Sequence, residues 1–141
     1  MRIYIGHSKK FNYKEELYIP LRNDDFFKSH ELLLPHEESA SSSNSRDFYK
    51  SIDLFIAECS DPGTGLGIEL GWCYDDGIDI YCIYRSNKKL SNSIRCITDN
   101  IYEYKDSCDM VSLVKRIVEE VENNLDNYKD LKSFLLVYDI L

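Results

Sequence analysis

The spacing of apolar positions changes period several times along the chain, and each change marks an element. Arg2–Gly6 reads RIYIG, a β-branched and aromatic run closed by glycine, which predicts a buried first strand. Between Tyr13 and Phe27, Leu17, Tyr18, Leu21 and Phe26 recur on one helical face, and Pro20 must bend or interrupt that helix. Glu31–Leu34 predicts a second short strand, ended by Pro35. Glu37–Ser45 is rich in serine and has no large apolar residue, so it predicts an exposed, mobile loop. Arg46–Ser51 predicts a short helix, and Asp53–Cys59 (DLFIAEC) a third strand in the centre of a sheet.

A glycine-rich turn then leads into a helix predicted over Gly67–Asp76. Asp79–Tyr84 (DIYCIY) is a fourth strand and Asn100–Tyr104 a short fifth. Val111, Val114, Ile117, Val118 and Val121 form one stripe of an amphipathic helix over Met110–Leu125. Tyr128–Leu141, with SFLLVY, is consistent with a further helix, but its pattern assigns it no place. Strands separated by helices predict a parallel, doubly wound α/β sheet of five strands flanked by helices. One domain spanning residues 1–141 is expected, with a tail from 125 of unassigned structure. Ligands bind such sheets beyond the carboxyl ends of the strands. That edge collects Gly6–Lys10, Pro35–Ser45 and Ser60–Gly67.

Composition narrows the function classes. At 141 residues, 43% apolar and 30% charged, the chain has the make-up of a soluble domain. No apolar run reaches the roughly 20 residues of a membrane span, and MRIYIGHSKK is not a secretory signal, so a cytoplasmic location away from membranes is expected. The five cysteines have no CxxC spacing and read as reduced side chains, Cys59 and Cys82 as small hydrophobes inside strands. The histidines are scattered, so no metal site is expected. A net charge of −8, with no basic cluster beyond Lys88-Lys89, argues against a polynucleotide partner. A single nucleotide stays open, because local donors hold a small anion whatever the net charge.

The most unusual stretch is SDPGTGLGIELGW, Ser60–Trp72, where one carboxylate, Glu69, sits in an apolar run. The spacing Gly63, Gly65, Gly67 is not the G-x-G-x-x-G of a dinucleotide site, and no Walker lysine follows. One alternative is a tight turn with Glu69 solvated in the first turn of the helix, where the helix dipole favours an ionised carboxylate. The other is chemical. Tyr4 and Ser8 fall at the same sheet edge, and Asp47 opens the short helix before the third strand. Two carboxylates facing a small pocket suit glycosidic chemistry, one attacking the anomeric carbon and the other handling the leaving group's proton.

The run IDLFIAECSDPGTGLGIELGW, with Tyr4–Ser8 before it and KKLSNSIR (Lys88–Arg95) after it, resembles the nucleoside 2-deoxyribosyltransferase family. It is most similar to the branch of 2′-deoxynucleoside 5′-phosphate N-hydrolases, over roughly residues 2–105. The resemblance implies a flavodoxin-like (Rossmann-like) sheet in at least a homodimer, acting on a small nucleoside or nucleotide without a cofactor. Glu69 matches the nucleophile that forms a covalent deoxyribosyl ester, and Asp47 the aspartate that handles the nucleobase proton. Tyr4 would lie against the sugar and orient Glu69. Gly6 and Ser8 would lie at the substrate, with Ser8 bonding its 5′ end. Ser91 would reach the 5′-phosphate in a neighbouring subunit, and His36 lies in the loop that covers the base. The hydrolases carry a serine where this chain has Gly63, so Thr64, Gly65 and bare backbone N–H groups are left to bind phosphate. The expected activity is hydrolysis of the N-glycosidic bond of a nucleoside 5′-monophosphate. Base exchange by a transferase, or a non-catalytic nucleotide-binding module, are the alternatives.

Overall fold

The computed structural model describes residues 1–37 and 46–137. Most of the serine-rich segment predicted as a loop, and the last residues of the tail, lie outside the described residues. The five strands are β1 (Arg2–His7), β2 (Glu31–Leu33), β3 (Leu54–Glu58), β4 (Asp79–Arg85) and β5 (Ile101–Tyr104). All pair in parallel in the order β2-β1-β3-β4-β5, the flavodoxin-like arrangement expected from the sequence. The direction of winding reverses between β1 and β3, which opens a crevice at their carboxyl ends.

Strand periodicity sorts side chains onto two faces. Ile3, Ile5, Leu54, Ile56, Tyr81 and Ile83 join one core cluster with Leu17, Leu21 and the apolar stripe Met110–Val121. Tyr4, Phe55, Ala57, Ile80 and Cys82 face the other way, towards Tyr49, Leu66, Leu70 and Cys73. Burying a Leu or Ile side chain contributes about 1.5–3 kcal/mol, so these two layers dominate the stability of the sheet. Gly6 belongs to the second layer. A Cβ there would lie 2.4 Å from the Phe55 ring, so glycine is required for packing.

The helices depart from expectation in three places. The first helical segment is a π turn, Lys14–Tyr18, running into α1 (Ile19–Arg22). Pro20 has no N–H to give to the Glu16 carbonyl, and the Ile19 N–H instead bonds Lys14 O. The Ser107 hydroxyl donates to the freed Glu16 carbonyl at 3.3 Å. The continuous helix predicted to Phe27 stops at Asn23, and a separate 3₁₀ turn, Asp25–Ser29, is capped by Asp24, which accepts from Phe26 N at 2.9 Å. A two-turn-or-shorter helix, α2 (Arg46–Tyr49), precedes β3. The helix after the glycine turn, α3, spans Thr64–Asp75, starting three residues earlier than the sequence suggests.

The third departure is α4, which runs from Ser107 to Val137. Asp106 accepts from Asp109 N at 2.9 Å and caps its start, and Asp109 accepts from Lys105 N at 2.8 Å. The tail without an assigned place therefore continues this helix as far as Val137. Its buried residues end at Val121, and Leu125, Tyr128 and Leu131 are exposed. Cys59, Cys73 and Cys82 are buried, and all five cysteines are free, with Cys96 and Cys108 exposed. No helix among the described residues is long and apolar enough to cross a membrane.

Candidate active site

At the β1/β3 crevice lies a cavity of about 900 Å³. Its walls come from segments distant in sequence. His7, Ser8, Lys9 and Lys10 leave β1, His36 follows β2, and Tyr49 comes from α2. Pro62–Gly65 form the glycine turn, and Leu66, Ile68, Glu69 and Trp72 come from α3.

Gly63 is the residue before α3, in extended geometry (φ −153°, ψ 135°), and its carbonyl accepts the first helical bond from Gly67 N at 3.1 Å. The N–H groups of the first turn therefore have no partner within the helix, and Thr64, Gly65 and Leu66 line the cavity together with Lys9 and Lys10. A Cβ on Gly63 would lie 3.0 Å from Ser8 Oγ and 3.1 Å from Ser8 Cβ. Ser8 thus takes up most of the space that a side chain at this position would need. The Ser8 hydroxyl donates to Pro62 O at 3.1 Å and accepts from Lys10 N at 3.2 Å. Its one proton is thus committed to the turn, and Ser8 fixes the loop rather than offering a free donor.

Because α3 begins at Thr64, Glu69 falls in its second turn, and the first turn holds no acidic residue. The expectation of a first-turn carboxylate kept ionised by the helix dipole is corrected on this point. Burial is the largest influence on Glu69 and raises its pKa above the usual carboxylate value, while hydrogen bonding with Tyr49 and Tyr4 lowers it. Tyr4 is 3% exposed, packed edge-on against Phe48, Tyr49 and Phe55. It stands behind Tyr49 rather than in the cavity wall, with its hydroxyl 3.4 Å from that of Tyr49. Burial, the Glu69 charge and the bond to Tyr49 all push the Tyr4 phenol far above its usual pKa.

A second group surrounds His7. Its Nε2 lies 2.6 Å from the Tyr18 hydroxyl, and its Nδ1 lies 3.1 Å from Ser8 O. The ring stacks on Tyr13 at 4.4 Å and stands 5.2 Å from that of His36. Burial lowers the His7 pKa to about 4, so the imidazole is neutral near pH 7. His36 is also lowered, by burial and then by the Lys9 charge. Its backbone N–H donates to Tyr18 at 3.2 Å, which ties the segment after β2 to this cluster.

The structure brings Glu69, Ser8, His36, Gly63, Thr64 and Gly65 into one cavity, with Tyr4 directly behind. It does not bring in the other residues singled out from the sequence. The Asp47 side chain is 87% exposed and reaches Lys50 of its own helix at 3.5 Å. Gly6 packs under Phe55 and is not part of the wall. Ser91 is exposed at the start of the 3₁₀ turn Asn92–Cys96, outside the cavity of its own chain. Sequence reasoning missed Tyr49, His7, Lys9, Lys10 and Trp72. His7 to Lys10 lay within a segment already assigned to the sheet edge, so their position was available; Tyr49 and Trp72 carried no signal. No group of metal-ligating side chains occurs among the described residues.

Fold and cavity together define a flavodoxin-like α/β protein with a cavity at its topological switch point. Among solved structures it is similar to the Clostridium botulinum CMP N-glycosidase BcmB, with 19% identity and a TM-score of 0.57. The match covers 81% of this chain and 98% of that one. No protein-family model matches the chain, and a search of curated proteins gives no match.

Proposed function

We propose that the protein hydrolyses the N-glycosidic bond of a nucleoside 5′-monophosphate, with a preference for a 2′-deoxy sugar. The observation that carries this reading is Glu69. It is a carboxyl in the wall of a cavity that also takes in the first turn of α3 and two lysines, with Tyr49 and Tyr4 close enough to favour its ionised form. A carboxylate held by donors and shielded from bulk water is a nucleophile with little freedom to turn away. The structural neighbour is a CMP N-glycosidase, and the sequence resemblance points to the same chemistry.

In this mechanism a Glu69 oxygen forms a bond to C1′ as the bond from C1′ to the base nitrogen breaks, and the electron pair leaves with the base. The base takes up a proton as it departs. Water then attacks C1′ of the ester and gives its proton to the general acid deprotonated in the first step, Glu69 leaves as carboxylate, and the products are free base and sugar 5-phosphate. Asp47 is the proposed proton donor, which requires its carboxyl to turn from Lys50 towards the cavity. The 5′-phosphate would take the N–H groups of Thr64 and Gly65, with Lys9 and Lys10 neutralising its charge. The aromatic group of His7 and His36 would face the base. Ser91 would serve the cavity of a second copy in a homodimer.

The experiment is base release from a panel of nucleosides and their 5′-monophosphates, followed by chromatography, with and without a second free base. Hydrogen bonds to a charged group contribute roughly 1.5–3 kcal/mol, so one such contact makes the monophosphate better by about tenfold or more in kcat/KM. Equal or faster turnover of the nucleoside, with base exchange outrunning hydrolysis, would move the assignment to a transferase. Binding without base release from any substrate would leave only a nucleotide-binding module.

A further inference from the structure

On the face of the sheet opposite Glu69, the carboxyl ends of four strands carry polar side chains: His7 on β1, Glu58 on β3, Arg85 on β4 and Tyr104 on β5. Glu58 is the most enclosed, at 0% exposure. Its Oε1 accepts the Ser60 N–H at 3.1 Å and also the Ser60 hydroxyl. The same hydroxyl oxygen accepts Arg85 N–H at 2.8 Å, which joins β3 to β4 at the point where the glycine turn begins. Two residues on, Pro62 O receives the Ser8 hydroxyl at 3.1 Å. The turn is therefore pinned at Ser60 from one face of the sheet and at Pro62 from the other.

The remaining atoms of this cluster are unmatched. Glu58 Oε2, Arg85 Nε and Tyr104 OH are buried and have no hydrogen-bond partner among the described residues. We propose that Glu58 is a positioning residue for the candidate active site, holding the Ser60–Gly63 turn through Ser60 as a neutral carboxylic acid. The proposal rests on the reading of that site given above. A buried carboxylate without a facing cation is strongly disfavoured, and Arg85 spends its Nη2 on Glu16 and lies over the Phe11 ring. A protonated Oε2 becomes a donor, and the phenol oxygen of Tyr104 is an unused acceptor.

The charged and titratable neighbours act in both directions, and burial outweighs them. Burial raises the Glu58 pKa most, the Ser60 bonds lower it, the charge of Asp61 raises it and the nearby Tyr104 phenol lowers it, to about 7. Lys88 is held by Asp61 at 3.3 Å. His7, in register with Glu58 on β1, is neutral near pH 7. Glu16, on the π turn, is paired with Arg85. Since the folded value lies above the unfolded one, the stabilisation is complete at low pH and is lost as pH rises through about 7. The turn should loosen above neutrality.

The test compares wild type, Glu58→Gln and Ser60→Ala by amide hydrogen exchange over residues 60–66 at pH 6 and pH 8.5. KM and kcat for a deoxynucleoside 5′-monophosphate are measured under the same conditions. At pH 6, Glu58→Gln should match wild type, because the amide keeps the acceptor and the added donor. At pH 8.5 the wild-type amides should exchange about fivefold or more faster than those of Glu58→Gln. Wild-type KM should rise while that of Glu58→Gln stays level, with kcat little changed in both. Ser60→Ala should exchange faster at both pH values. Equal exchange in wild type and Glu58→Gln at pH 8.5, or a Ser60→Ala variant as protected as wild type, would overturn the proposal. If wild type releases no base, the functional reading fails by itself and the exchange comparison still decides the role of Glu58.

Discussion

The hydroxyls of Tyr4 and Tyr49 lie 3.4 Å apart, and both bear on the carboxyl of Glu69. Either hydroxyl can donate to the other. The order in which Tyr4 donates to Tyr49 and Tyr49 to Glu69 gives each proton an acceptor. One tyrosine comes from β1 and the other from α2, so the proposed nucleophile is flanked by two elements that meet only in the folded sheet.

Glu69→Gln should lower base release by at least about a thousandfold, because the amide cannot form the ester. The fold should survive and gain stability at neutral pH. Burial raises the folded pKa of Glu69, so ionising it costs stability as pH rises through that value, and glutamine removes the cost. Thermal melts at pH 5 and pH 8 check the sign: the gain should be larger at pH 8. Activity within a few-fold of wild type would sink the mechanism.

Tyr49→Phe removes a hydroxyl that favours the ionised form of Glu69. The acidic limb of the kcat/KM profile should move to higher pH, and the rate at neutral pH should fall about tenfold. A loss of about 1 kcal/mol in stability accompanies the missing hydrogen bond. An unmoved acidic limb would show that Tyr49 merely packs.

Gly63→Ala should raise KM by about tenfold, since the new Cβ lies 3.0 Å from Ser8 Oγ and one side of the turn must shift. Adding Ser8→Gly removes the colliding atoms beyond Cα and should recover part of the affinity. Steady-state kinetics of the single and double variants decide it; a double variant no better than Gly63→Ala would rule out this contact as the cause.

If Ser91 serves a neighbouring cavity, sedimentation should reveal a dimer or larger assembly at micromolar concentration. Mixed assemblies of Glu69→Ala with Ser91→Ala should then regain one intact site per pair. A fully active monomer would remove this role for Ser91.

The strands were legible because a buried parallel sheet demands short β-branched and aromatic runs, and RIYIG, DLFIAEC and DIYCIY have no other easy reading. Glycines at 63, 65 and 67 announced a turn at the sheet edge, and Glu69 was visible as a lone carboxylate in an apolar run. Helix ends were less legible. α3 begins at Thr64 because Gly63 takes an extended geometry against Ser8, a contact between β1 and the turn that local sequence does not encode. The continuation of α4 to Val137 was hidden because its second half has no core to face, so its stripe loses the burial contrast that marks the first half.

The sequence by itself determined the order of strands and helices, the sheet edge where chemistry is expected, and the carboxylate that stands there. Tertiary structure decided that Tyr49 and not Asp47 adjoins that carboxylate, that Ser8 spends its proton on Pro62, and that Glu69 and Glu58 titrate above their usual values. The physical reason is the same in each case. Spacing along the chain dictates periodicity and turns, whereas desolvation and hydrogen-bond partners depend on which distant segments exclude water from one another.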